Sequence, residues 1–109
     1  MGVTKSEAFT PQQNTVASLA KAIAHPARIA ILEHLIKIDS CICGDLVDVL
    51  PLSQATVSQH LRELKNAGLI KGEINGTSVC YCLDKTQWAN CIHVFETLFE
   101  QIRSVTKCC

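Results

Sequence analysis

The stretch that decides the fold runs from Leu50 to Leu83, "LPLSQATVSQHLRELKNAGLIKGEINGTSVCYCL". Pro51 ends whatever helix precedes it, and Ser53 offers a hydroxyl cap for a new one. Val57, Leu61 and Leu64 follow at helical spacing, which predicts a helix from Ser53 to Ala67 with those three side chains inward. Gly68 is placed to stop it. Two short runs then flank Asn75-Gly76, a dipeptide suited to a tight hairpin. On the second run Val79, Tyr81 and Leu83 share one face; Cys80 and Cys82 share the other, read as the outer one.

Working outward, Thr10 before Pro11 caps a first helix with proline at its first position, and Val16, Leu19, Ala20 and Ile23 carry it to about Ala24. His25 caps a second helix, whose apolar face is Ile29, Leu32, Leu35 and Ile36. A short third helix is expected from about Cys43 to Leu50, ahead of the Ser53 helix. After the hairpin a long last helix runs from about Lys85 to Val105. Its stripe Trp88, Ile92, Phe95, Phe99 and Ile102 is spaced as a seam for another helix. The expected architecture is therefore mainly α with a small β-hairpin, the order of a winged helix-turn-helix. It forms a single domain over residues 1–109, with 1–10 and 106–109 as flexible tails.

Composition agrees with one globular domain: 109 residues, 48% apolar and 18% charged. The formal net charge is zero, yet from Ser53 to Gly72 the cations Arg62, Lys65 and Lys71, with His60, face Glu63 alone. The start has no secretory apolar core and no run is long enough to span a bilayer, so a cytoplasmic, membrane-free protein is expected. Thiols there stay reduced, and seven cysteines read as metal ligands or redox sensors, not staples. A thiol-dependent enzyme is disfavoured, because no Cys-x-x-Cys opens a helix after a strand.

The outward residues of the Ser53 helix include Gln54, Ala55, Thr56, Ser58 and Gln59, which suit base edges and phosphates in a major groove. Arg62 and Lys65 suit phosphates, with Ser53 and Lys71 at the margins. The segments "AHPARIAILEHL", "CICGDL", "LSQATVSQHLRELKNAGLI" and "GTSVCYCL" resemble the ArsR/SmtB family of metal-sensing repressors, over about Val16 to Ile102. The resemblance implies a homodimer held by the first and last helices, bound to double-stranded operator DNA and released by an inducer. It implies groove contacts from Gln54, Ser58 and Gln59, with His60 nearby; Ala55 stands where relatives often carry a polar residue.

"CICGDL" resembles the Cys-x-Cys-Asp-Leu of the family's arsenic and cadmium/lead sensors, with Gly44 inserted before Asp45. Neither completing ligand of those types is present: Leu46 and Val47 stand where a third cysteine would follow, and the N-terminal segment has none. The last-helix zinc site of the family is also missing, since Lys85 and Gln87 occupy its first two places. On a regular helix, Cys41 and Cys43 would point roughly 200° apart, so chelation requires unwound backbone just before the DNA-reading helix. Thiolates select soft ions, which makes As(III) or Sb(III) the expected inducer, with Cd(II) and Pb(II) next and no permanent cofactor. Further ligands are expected from Cys108 or Cys109 first, and from Cys80 or Cys82 second. The alternative reading keeps the repressor and makes the thiols sensors of oxidants or reactive sulfur.

Overall fold

The computed structural model describes residues 5–42, 50–75 and 78–107. Its elements are α1 (Pro11–Ile23), α2 (Pro26–Ile38), α3 (Gln54–Asn66), β1 (Ile70–Asn75), β2 (Ser78–Leu83) and α4 (Lys85–Arg103). This is the winged helix-turn-helix order, with α3 in the reading position and the hairpin as wing. The helix expected from about Cys43 to Leu50 lies outside the described residues except for Leu50. Among the described residues no helix is long and apolar enough to cross a membrane.

The helix ends follow the local chemistry. Thr10 and Gln13 form a reciprocal capping box, with backbone-to-side-chain bonds of 2.9 and 3.1 Å. Lys5–Ala8 form a 3-10 turn ahead of that cap. His25 caps α2 as expected: its Nδ1 accepts the Ala27 N–H at 3.0 Å. The α2 terminus is Asp39, held at φ +49°, a left-handed conformation that Asp tolerates better than most residues. Gly68, at φ +81°, turns the chain from α3 into β1 where any side chain would be strained.

The core lies where α2, α3, the hairpin and α4 meet. Ile31, Leu35, Leu64, Leu69, Ile70 and Cys91 are its fully buried side chains. Burial of each large aliphatic side chain stabilises by about 1.5–3 kcal/mol before entropy is counted. The carbonyl of Leu69 accepts both the Trp88 indole N–H at 2.8 Å and the Asp84 backbone N–H at 3.2 Å, tying α4 to the start of the wing. Trp88 and Phe95, two residues of the expected seam, are partly buried and pack against the core.

β1 and β2 pair antiparallel from Ile70↔Leu83 to Asn75↔Ser78, so the connection is residues 76–77, outside the described residues. A third extended segment joins them. Ile42 bridges Tyr81 with two reciprocal backbone hydrogen bonds, 2.9 and 2.8 Å. β2 is thus flanked on both edges, which changes the environment of its cysteines.

Candidate nucleic-acid interface and thiol site

Ser53 accepts the Thr56 N–H at 3.3 Å and donates to the Thr56 hydroxyl at 3.0 Å, fixing the first turn of α3. Gln54, Ala55, Ser58 and Gln59 are exposed on that turn and the next; Arg62 and Lys65 continue the exposed face. The inward face is Val57, His60, Leu61 and Leu64. Amide and hydroxyl groups near the helix start, with cations beyond, suit base edges and phosphates respectively.

His60 departs from the expected role. It is 7% exposed and cannot line a groove surface. Its Nδ1 accepts the Arg28 Nε–H at 3.1 Å, and its ring lies 4.3 Å from that of His25, centroid to centroid. Arg28 also donates to the Ala22 carbonyl at 2.9 Å. The network joins the α1–α2 corner to the back of α3, so His60 orients the reading helix from behind.

Burial, reinforced by the nearby positive charge of His25 and Arg28 and opposed by Glu63, pushes the His60 imidazole below its ordinary value. The unfolded chain therefore binds the proton more readily than the folded one. The stability this confers is complete above the unfolded value, about 6.5, and falls as pH drops below it through the lower folded value. Urea titrations at pH 7.5 and 5.5 should show a larger loss for the wild type than for His60→Gln. Equal losses would remove His60 as a source of the pH dependence.

The thiols occupy the opposite side of the wing from the core. Cys41 and Cys82 form a disulfide with α-carbons 4.3 Å apart. That spacing is the one for a non-hydrogen-bonded antiparallel pair, about 4.5 Å, next to the hydrogen-bonded pair Ile42↔Tyr81. The left-handed turn at Asp39 sends the chain along β2 in this register. The sequence reading expected free, reduced thiols and a pair held on a helix; the structure instead has an extended backbone at Ile42 and Cys41 cross-linked. Cys80 is also disulfide-bonded. Cys43, Cys108 and Cys109 lie outside the described residues.

Cys80 and Cys82 do share the face away from Ile70, as expected, with Lys71 and Glu73 across from them on β1. That face is not open at the cysteines, which are 6% and 7% exposed. On the other edge of β2, Cys41 is bonded to Cys82 and Ile42 bridges Tyr81. Lys71, expected at the DNA, is exposed beside Cys82 in a cleft also lined by Cys41. Among the described residues no group of three or more His, Cys, Asp or Glu side chains is gathered as an ion site. Buried Cys91 is the free cysteine of the described set; burial pushes its thiol up, away from the reactive thiolate.

Comparison with known proteins agrees with this architecture. A helix-turn-helix domain family model matches residues 23–73. The chain is 46% identical over 65 residues to the HTH-type transcriptional repressor SmtB of Mycobacterium tuberculosis, covering 60% of this chain and 47% of that one. It thus spans about half the length of that relative. It is 37% identical over 87 residues to the HTH-type transcriptional regulator NmtR of the same organism, covering 80% of this chain and 67% of NmtR. An ArsR-like transcriptional regulator from Rhodococcus sp. RHA1 superposes with a TM-score of 0.72 at 20% identity, over 86% of this chain and 88% of that one. Sequence identity sustained through the reading helix and the wing, on a shared fold, makes this chain a member of the ArsR/SmtB family of winged helix-turn-helix regulators.

Proposed function

We propose that the protein is a homodimeric repressor that holds double-stranded operator DNA through α3 and releases it when a thiophilic metal(loid), As(III) foremost, is captured by thiolates of Cys41, Cys43 and Cys82. The observation that carries this reading is the approach of Cys41, in the chain between α2 and the reading helix, to Cys82 on β2, 4.3 Å between α-carbons. It favours Cys82 as the third sulfur over Cys108 or Cys109. Cys43 enters from the Cys-x-Cys motif. Capture balances as three S–H groups exchanging with the three As–OH groups of arsenous acid, releasing three waters. The cross-link must first take up two electrons and two protons. A chelate joining Cys41 to Cys82 ties the approach to α3 to the wing and biases how the two sit on DNA. Typical coupling of about 1–3 kcal/mol suffices to change operator affinity some 5–150-fold.

A second reading has one observation in its favour, the Cys41–Cys82 disulfide itself: an oxidant or reactive-sulfur sensor of the same fold could switch by making and breaking that bond. Fluorescence anisotropy of the reduced protein on its operator, titrated in parallel with As(III), Sb(III), Cd(II), Pb(II), Zn(II) and a polysulfide, separates the two. Release by As(III) at the lowest concentration supports the first reading. Release by polysulfide alone supports the second.

The DNA contacts are tested in the same assay. Gln54→Ala or Ser58→Ala should weaken operator binding by about 1–3 kcal/mol with less effect on scrambled DNA. Lys65→Ala should weaken both and flatten the salt slope by about one unit. An unchanged operator preference in both Gln54→Ala and Ser58→Ala would displace α3 as the reading head.

A further inference from the structure

We propose that the cleft beside the Cys41–Cys82 disulfide is a docking site for a small zwitterionic thiol, of the amino-acid or short-peptide class, which opens the cross-link by exchange at Cys41. The cleft has a volume of about 600 Å³, within the range of small-molecule sites. Both bonded cysteines line it, so anything bound there lies against the disulfide.

Its charges have both signs. Lys71 and Lys85 stand with Asp39, Glu73 and Asp84 on its walls. None of these five forms a salt bridge among the described residues, where the ion pair found is Arg103 with Glu100. Asp84 is already engaged, its carboxylate accepting the Gln87 N–H at 3.1 Å as the cap of α4. The ammonium groups of Lys71 and Lys85 and the carboxylates of Asp39 and Glu73, outside any ion pair among the described residues, match a ligand with a carboxylate and an ammonium group. They match less well a purely anionic or apolar one. Lys71 is directly across the ladder from Cys82, which sets a cation beside the sulfur that must leave as thiolate.

Exposure selects the sulfur attacked. Cys41 is exposed, whereas Cys82 is 7% exposed. The incoming thiolate bonds to the Cys41 sulfur, the Cys41–Cys82 bond breaks, and its electron pair leaves on Cys82, which then takes up a proton. A second thiolate attacks the ligand's own sulfur in the mixed disulfide and leaves Cys41 as thiolate. The sum is two thiols oxidised to one small disulfide and one protein disulfide reduced to two thiols. The step would prepare the pair proposed above for ion capture. It does not depend on what that ion is.

The test follows reduction of the oxidised full-length protein, with the Cys41–Cys82 bond quantified by peptide mass mapping. No DNA or arsenic is present, so failure here leaves the repressor reading untouched. Reduced glutathione is the zwitterionic probe and 2-mercaptoethanol the neutral one, compared at equal thiolate concentration. With glutathione the rate should saturate as its concentration rises; with 2-mercaptoethanol it should rise linearly. Lys85→Ala combined with Lys71→Ala should abolish saturation and lower the glutathione-to-mercaptoethanol rate ratio about tenfold, the size of one lost charge-assisted contact of about 1.4 kcal/mol. Linear kinetics with both thiols, an unchanged ratio in the variant, or no Cys41–Cys82 bond in the oxidised protein would each overturn the proposal.

Discussion

Serine in place of Cys41, or of Cys82, is expected to abolish As(III)-driven release while leaving operator affinity within about twofold, the usual scatter of a substitution that touches no base contact. The two residues are 41 positions apart in sequence, yet they meet on adjacent extended segments. Loss of either sulfur leaves fewer thiolates for an ion that takes three. The 5–150-fold change in affinity expected on induction should therefore vanish in both variants, read as anisotropy of labelled operator with rising As(III). Cys43→Ser should behave alike. A chain truncated after Thr106, which lacks Cys108 and Cys109, should still respond. Normal release in both Cys41→Ser and Cys82→Ser would make the pair structural and remove the proposed inducer site. A lost response in the truncated chain alone would move the third ligand to the tail.

Phe99→Asp is expected to convert the proposed dimer to a folded monomer and to cost operator binding about 10²–10⁴-fold, the avidity lost when two half-sites are no longer engaged together. The exposed side chains of α4 carry the argument: Ile92, Phe99 and Ile102 are 50%, 53% and 61% exposed, and Phe9, just ahead of α1, is 58% exposed. Phe99 stacks on Phe95 at 5.9 Å between ring centroids, so one ring leads outward from the other. α1 and α4 pack together, which extends this apolar surface across both helices. A carboxylate at Phe99 meets water in the monomer and an apolar partner in the dimer, so it penalises assembly more than folding. Sedimentation velocity and thermal melts measure the two separately. An unchanged dimer would place the interface elsewhere.

Part of the thiol site was legible in the sequence, in a form easy to overlook. Two Cys-x-Cys motifs, 41–43 and 80–82, have the two-residue period of strands. Such motifs can face each other across an antiparallel ladder. Reading the first as helical hid this, because its neighbours Leu46, Val49 and Leu50 carry a helical pattern. His60 also left a signal. Spaced with Val57, Leu61 and Leu64, it completes the inward arc of α3, where a polar side chain needs a buried partner. The partner, Arg28, is 32 residues away, and no local rule names it.

The local chemistry of the chain determined the helices, their caps at Thr10, His25 and Ser53, the stop at Gly68 and the pairing of the two wing strands. Each is set by residues a few positions apart, whose periodicity and hydrogen-bonding groups act before any distant contact forms. Only the tertiary structure decided that Trp88 turns to the Leu69 carbonyl, that His60 backs onto His25 and Arg28, and that Cys41 meets Cys82 along a shielded strand. The Trp88, Arg28 and Cys41 pairings span 19, 32 and 41 residues. The chain must close those loops against their entropy, and it does so because the buried side chains of α2, α3, the wing and α4 share one core.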